Sequence, residues 1–135
     1  MIEPVNGLVI RYSYLWAREH DRQEETGRKD RPACVQIIVA DTQAGTIVAL
    51  FLITSQPPRR DRTALEIPET EARRVGLGIP AWIMVDEWNL DNLATSPHIA
   101  DTRPLGTFSA AFLRRVRKSA AERIRARRYR SVPRR

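Results

Sequence analysis

The sequence predicts a mainly β domain of the α+β class, in the form of a small β-barrel that ends in a helix. Five short runs rich in β-branched and aromatic residues are separated by turn signals, and helical spacing occurs only at one connection and near the C-terminal end. A chain of 135 residues, 42% of them hydrophobic, is long enough to bury one core without disulfides or metal ions. We therefore expect one domain over residues 1–128, followed by a basic tail over residues 129–135 that frays.

The predicted strands follow the apolar runs of the chain. A turn-like segment at 41–45 joins the second and third strands, so these two form a hairpin, and the third is apolar enough to be buried on both faces. The predicted strand bounds are 7–16, 33–40, 46–53, 64–67 and 81–87. Residues 17–31 are mostly charged and are predicted to form a long loop, and residues 89–104 are predicted to be irregular.

Two helices are predicted from their end signals and their spacing. A short helix over 69–75 follows Pro68 and is closed by Gly76, a residue suited to the left-handed conformation past a helix end. The longer helix begins after Ser109, which is a suitable N-cap. Its apolar stripe at helical spacing consists of Leu113, Val116, Ala120 and Ile124.

Basic residues are concentrated at the C-terminal end of the chain. Residues 103–135 hold twelve of the 23 Lys and Arg residues and one of the 16 Asp and Glu residues, so residues 1–102 are net acidic. A basic segment of this kind attracts polyanions, such as nucleic acid or an acidic protein segment. The alternative is a solvated helix face that has no partner.

The single cysteine and the N-terminal residues bear on the expected cellular location of the protein. Cys34 has no partner for an internal disulfide and is predicted to be buried in the second strand. No secretory signal pattern follows Met1, and no apolar run approaches the roughly 20 residues that span a bilayer. These features predict a cytoplasmic protein that makes no membrane contact.

Arg31 is the first candidate site residue, because it stands where the charged loop enters the second strand. Pro32 restricts the residue before it to extended conformations, and a guanidinium fixed in this way is a directed donor fork for phosphate. Arg28 and Lys29 add positive potential beside it. The alternative is an ordinary surface turn with its charges in water.

Thr54 and Ser55 are the second candidates, at the end of the third strand. In the predicted hairpin the start of the second strand lies beside the end of the third, so Arg31 and Thr54 become neighbours. Two hydroxyls beside an arginine fork suit one phosphodiester. The alternative is that both residues only begin the turn before Pro57 and Pro58.

The charged loop also supplies the groups able to move a proton. These groups are Glu19, His20, Glu24, Glu25 and Asp30. Histidine has the side chain whose ordinary pKa best suits this work. His20, Glu24 and Glu25 stay open as the general base, and His20 and Glu25 are counted among the catalytic residues. His98 is a weaker candidate. The two histidines and the cysteine lie too far apart along the chain to indicate a metal site, and we expect no cofactor.

Aromatic and cationic side chains around the loop suggest contacts to unpaired bases. Aromatic faces stack on bases, and basic grooves follow the backbone of a single strand. Trp16, at the edge of the loop, is the predicted stacking residue, whereas Trp82 is interpreted as a core residue. The residues predicted to hold RNA are Trp16, Arg18, Arg28, Lys29 and Gln56.

Several motifs occur in a fixed order along residues 7–124. They are Gly7-Leu8-Val9-Ile10, Gly27-x-Lys29-x-Arg31-Pro32-x-x-Val35, Ile53-Thr54-Ser55, Ile83-x-Val85-Asp86-Glu87-x-Asn89, and Gly106 before a terminal helix. This order resembles the PemK/MazF-like toxins of type II toxin–antitoxin systems, and most closely the PemK-like branch. The Arg-Pro strand entry and the Thr-Ser strand exit are its specific parts.

The resemblance implies an SH3-like β-barrel of the MazF/CcdB type that forms a homodimer and cleaves single-stranded RNA without a metal. The 2′-hydroxyl attacks the adjacent phosphate, which leaves a cyclic phosphate and a 5′-hydroxyl. By this resemblance Arg31 stabilises the phosphorane charge and protonates the leaving oxygen, and Thr54 orients the phosphate with help from Ser55. The loop over 17–31 closes over the RNA, and an acidic antitoxin segment covers the same surface.

Two other functions stay open. A toxin of the same barrel that inhibits a protein target, like the gyrase poisons of the CcdB branch, is toxic without cleaving RNA. A non-enzymatic barrel that binds nucleic acid shows strongly salt-dependent binding and no cleaved product. The pairing of Arg31 with Thr54 favours the nuclease, and the basic tail fits the third function about equally well.

Overall fold

The computed structural model is a sheet of eight strands with three helices, and it describes residues 2–3, 5–23, 30–43 and 45–134. The sheet is antiparallel except at one pair of strands. The elements in chain order are β1 (Leu8–Ser13), α1 (Ala17–Asp21), β2 (Asp30–Thr42), β3 (Gly45–Thr54), β4 (Ala64–Glu66), α2 (Glu69–Arg74), β5 (Trp82–Met84), β6 (Glu87–Asn92), β7 (Ile99–Thr107), α3 (Ala110–Arg125) and β8 (Arg130–Pro133). The α+β class predicted from the sequence is confirmed.

Strand β3 lies at the centre of the sheet. The main strand order is β4-β5-β3-β2-β1-β7. On the edge away from β2, the first half of β3 pairs with β6 and its last two residues pair with β5. β8 then runs parallel to β6. The predicted β2–β3 hairpin and the burial of β3 are both confirmed.

Side chains from the two faces of the sheet form two separate cores. The helix-side core lies between the sheet and helices α2 and α3, and includes Phe51, Val85, Phe112 and Val116. The tyrosine-side core lies on the opposite face and includes Tyr12, Tyr14, Ala33, Val35, Leu50, Leu52 and Met84. Residues alternate between the two cores along β1, β2 and β3, as the two-residue repeat of a strand requires.

The helix predictions agree with the structure in most respects. Gly76 has φ +65° and follows α2, and the Ser109 hydroxyl accepts a hydrogen bond from the Phe112 N–H at 3.2 Å. Phe112, Leu113, Val116 and Ala120 are buried. The prediction for Ile124 is wrong, because this side chain is 41% exposed near the end of α3.

Three sequence predictions of irregular structure are wrong. The 17–31 loop begins with helix α1 and ends in the first residues of β2. The 89–104 segment contains most of β6 and β7, and polar residues at inward positions of β6 hide its strand pattern. The tail does not fray at 130–133, since Val132 is 1% exposed and packs with Leu15 and Ala17.

Candidate functional site

Strand register aligns four residues across one end of the sheet, and two of them, Arg31 and Thr54, are predicted site residues. Tyr12 of β1 pairs with Arg31 of β2, and Thr54 of β3 pairs with Trp82 of β5. The β2–β3 ladder ends at the pair Ala33–Leu52, and extending its register by two residues sets Arg31 opposite Thr54. We call these four residues the Arg31–Thr54 row.

The four side chains of the row belong to the same face of the sheet. Ala33, Leu52 and Met84 lie in the tyrosine-side core, and each stands two residues from a member of the row on its own strand. Because side chains alternate along a strand, Arg31, Thr54 and Trp82 share the face of Tyr12. Arg31, Thr54 and Trp82 are half-buried, so each is in contact with solvent at this end of the sheet.

The Arg31 guanidinium has its donors available. Within the described part of the chain, no hydrogen bond or ion pair joins it to another residue. Pro32 pairs with Arg11 of β1, so the backbone that carries Arg31 is part of a regular ladder. A half-buried guanidinium on a rigid strand is suited to bind an anion in a fixed orientation.

The Thr54 hydroxyl organises the turn that follows β3. Its oxygen accepts a hydrogen bond from the Gln56 N–H at 3.1 Å. A hydroxyl that accepts one bond keeps its own proton to donate, so Thr54 can still contact a phosphate oxygen. Ser55 and Gln56 are exposed in the turn, within the same surface region.

Trp16 is packed among cations instead of standing free. The guanidinium carbons of Arg18 and Arg62 lie 4.5 Å and 5.6 Å from the centroid of its ring system, and the Tyr14 ring meets it edge-on at 5.9 Å. Base stacking on Trp16 therefore requires Arg18 or Arg62 to move aside. Its role as a stacking residue stays a prediction.

The structure describes only one of the residues predicted to act as the catalytic base. His20 is exposed on α1, the helix that follows β1. Glu25, Arg28 and Lys29 lie outside the described residues. The assignment of the base and of these two cations therefore stays as the sequence predicts it.

Buried hydrogen bonds between tyrosines and carboxylates link β1 and the segment just after it to β6, a feature that the sequence analysis missed. The Tyr12 hydroxyl donates to Asp91 at 2.6 Å and the Tyr14 hydroxyl donates to Glu87 at 3.0 Å. Burial and the neighbouring carboxylate raise the pKa of both tyrosines far above the ordinary value. Tyr12 is also a member of the Arg31–Thr54 row, so this bond fixes one end of the row.

A cleft of about 520 Å³ lies beside α1, and charges of both signs line it. Asp21 pairs with Arg130 at 2.7 Å, and the hydrogen bonds from Arg130 lower the pKa of that carboxyl. Arg62 pairs with Asp86 at 2.8 Å and with Glu87 at 2.7 Å. Carboxylates thus neutralise two cations of the cleft. Arg18, Arg127 and Arg128 also line it, and the structure gives no ion pair for them within the described residues.

Metal ligation and membrane insertion find no support among the described residues. In this part of the chain no three His, Cys, Asp or Glu side chains are grouped as metal ligands. No helix there has the length and hydropathy needed to cross a bilayer.

Comparison with known proteins gives no further information about the site. No model of a protein family, no curated protein sequence and no solved structure matches the chain.

Proposed function

We propose that the protein is the toxin of a toxin–antitoxin system and acts in the cytoplasm as a metal-independent endoribonuclease on single-stranded RNA. In this proposal the eight-stranded sheet is an SH3-like barrel of the MazF/CcdB type. The observation that supports the proposal is the Arg31–Thr54 row, in which the extended strand register sets a hydroxyl opposite an arginine that forms no ion pair within the described residues.

The proposed reaction needs few protein groups. The ribose 2′-oxygen forms a bond to the adjacent phosphorus as its proton leaves, and the bond from phosphorus to the 5′-oxygen breaks. The products are a 2′,3′-cyclic phosphate and a 5′-hydroxyl, which receives a proton. Since the attacking group belongs to the substrate, the protein contributes positioning and charge stabilisation.

Each member of the site has a role in this reaction. Arg31 binds the non-bridging oxygens, where negative charge develops, and protonates the leaving 5′-oxygen. Thr54 donates to the same phosphate and sets its orientation, with Ser55 beside it. His20 or Glu25 takes the proton of the 2′-hydroxyl.

The proposal includes two protein partners. A second copy of the chain forms a homodimer with it. A cognate antitoxin blocks the site with an acidic segment, whose carboxylates compete with RNA phosphates for Arg31.

Cleavage of a mixed RNA by the purified protein in EDTA tests the proposal. New 5′ ends are mapped for the wild type and for Arg31→Ala and Thr54→Ala. We expect Arg31→Ala to lower the rate about 10²- to 10³-fold, as the loss of one transition-state donor does, and Thr54→Ala to lower it less. Arg11→Ala is the matched control, because Arg11 is exposed and neighbours the row on β1.

Three results would overturn the nuclease proposal. Equal cleavage by the wild type and Arg31→Ala would exclude the row as the site. Toxicity in cells without new RNA ends would favour the gyrase-inhibiting alternative. Binding of RNA with no product would favour a non-enzymatic nucleic-acid-binding protein.

A further inference from the structure

The outer face of α3 carries a line of cations. Arg114, Lys118 and Arg125 differ by four and by eleven positions, which are close to whole turns of an α-helix, so they share one face. Arg115 and Arg117 flank this line on its two sides. All five side chains are exposed, and we call them the α3 basic stripe.

The helix that carries the stripe is firmly attached to the sheet. Phe112, Leu113 and Val116 enter the helix-side core. The Ser109 cap also donates its hydroxyl to Glu71 at 2.8 Å, and the Gln36 amide donates to the Leu113 carbonyl at 3.3 Å. The stripe is therefore presented on a fixed support, which reduces the entropy lost when it binds a partner.

The cations of the stripe have no acidic partners in the described part of the chain. The structure gives no ion pair there for any of the five, whereas the exposed Arg73 and Arg103 pair with Glu69 at 2.8 Å and Asp101 at 3.2 Å. Like charges four residues apart destabilise a helix, and α3 contains a single acidic residue, Glu122. The helix thus carries a net positive charge that a polyanion would neutralise.

We propose that the α3 basic stripe binds the phosphate backbone of RNA independently of sequence. Eleven residues at a rise of about 1.5 Å place Arg114 and Arg125 about 16 Å apart, so the stripe contacts several successive phosphates. Arginine suits this role because its planar donor fork matches the oxygens of a phosphate.

The residues between the cations favour nucleic acid over other anionic partners. Ala111 and Ala121 lie on the same face, and neither is an aromatic or large apolar anchor of the kind that protein interfaces use. A membrane surface would call for several large apolar side chains beside the cations, whereas α3 exposes a single one, Ile124, near its end. Interfaces with nucleic acid are polar and strongly positive, as this face is.

The stripe is separate from the Arg31–Thr54 row. α3 packs on the helix-side core, and the row belongs to the face of the tyrosine-side core. The sheet stands between them, so the two surfaces do not hold the same phosphate. The inference therefore goes beyond the proposed reaction and does not depend on it.

Binding of a fluorescein-labelled oligouridine, followed by anisotropy at several salt concentrations, tests the stripe. The variant Arg114→Gln/Lys118→Gln is compared with Arg73→Gln/Arg103→Gln, which removes the same charge from exposed arginines that already have carboxylate partners. We expect the stripe variant to weaken binding at least about tenfold at low salt. Its slope of log K against log salt should fall by about 1.4, since each lost phosphate contact on a single strand removes about 0.7.

Adding Arg125→Gln should lower the salt slope by about a further 0.7. If the stripe and control variants lose the same RNA affinity, the effect depends only on net charge, and the proposal is overturned. Displacement of the RNA by polyglutamate at matched charge would identify a surface for acidic proteins and overturn it as well. Made on top of Arg31→Ala, the stripe variant should still lower the salt slope by about 1.4 relative to Arg73→Gln/Arg103→Gln on the same background, which separates this test from that of the nuclease.

Discussion

The two faces of the sheet bury side chains of different chemistry. In the helix-side core, Phe51 stacks on Trp88 with ring centroids 5.2 Å apart, and Phe108 meets Phe112 at 5.0 Å. In the tyrosine-side core, apolar residues share the space with hydroxyl–carboxylate pairs such as Tyr12–Asp91. One face is held mainly by apolar contact, and the other by apolar contact together with directed bonds.

This difference suggests that the two cores have different roles: one mainly stabilises the fold, and the other also fixes the positions of particular residues. Apolar burial is strong but tolerates small shifts in angle, whereas a buried hydrogen bond requires defined positions of both partners. The directed bonds of the tyrosine-side core connect β1 to β6 across more than 70 residues of sequence. Because Tyr12 stands in the Arg31–Thr54 row, we infer that these bonds set the position of the row.

The largest expected effect comes from the helix-side core. Phe51→Ala should lower the free energy of unfolding by about 3–5 kcal/mol, because it leaves a cavity against Trp88 in a fully buried site. Urea denaturation of the wild type and the variant measures the change. Ile79→Ala is the control, since this side chain is 55% exposed and should shift stability by less than about 0.5 kcal/mol. A loss below about 1 kcal/mol for Phe51→Ala would contradict the prediction that apolar contact at Phe51 contributes strongly to stability.

A smaller effect is expected from one polar residue on the other face. The buried Asn89 amide accepts from the Leu15 N–H at 2.9 Å and donates to the Leu15 carbonyl at 2.8 Å. Asn89→Leu should cost about 2–4 kcal/mol, because it leaves both backbone groups of Leu15 without these partners.

Urea denaturation gives this stability change, and RNA cleavage gives a second measurement. If the polar bonds position the row, cleavage by Asn89→Leu should fall under conditions in which the variant is fully folded. Phe51→Ala, studied while folded, should keep more of its activity. If folded Asn89→Leu cleaves RNA faster than folded Phe51→Ala, the two cores do not have the separate roles proposed here.

The smallest effect is a dependence of stability on alkaline pH. Burial and the neighbouring carboxylates raise the pKa of Tyr12 and Tyr14, so the folded protein keeps both protons at a pH where the unfolded chain loses them. Their contribution is complete below the ordinary tyrosine pKa near 10 and is lost as the pH rises above it, by about 1.4 kcal/mol per pH unit for each group.

Urea denaturation between pH 9 and pH 11 measures this loss. Tyr12→Phe and Tyr14→Phe should each make the decline less steep, and the double variant should reduce it most. The same variants at pH 7 supply the reference, where only the lost hydrogen bond is felt, at about 1 kcal/mol. An unchanged alkaline slope in the double variant would show that the two tyrosines do not control it.

Local patterns in the sequence were sufficient to predict the centre of the fold. The apolar run of β3 and the turn before it predict the β2–β3 hairpin, and the Ser109 cap with its apolar spacing predicts α3. The hairpin also accounts for the expected proximity of Arg31 and Thr54. In each case the information lies within a few residues along the chain.

The tyrosine-side elements could not be predicted in this way. Asn89 and Asp91 occupy buried positions of β6, where an alternating pattern calls for apolar residues, and their partners lie far away in the sequence. β8 resembles a polar tail because only Val132 supplies a buried apolar side chain. Trp82 was interpreted as core, and its place beside Thr54 follows only from the pairing of β3 with β5.

The central position of β3 has a consequence for how the molecule opens. β2 borders one edge of β3, while β6 and β5 border successive parts of the other edge. If a single neighbouring strand detaches, much of β3 stays protected by the others. Exchange of its most buried amide protons with deuterium therefore requires global unfolding of the domain. The exchange rate of Val48 to Leu52 is thus a direct gauge of global unfolding, whereas β4 and β7 report only local opening.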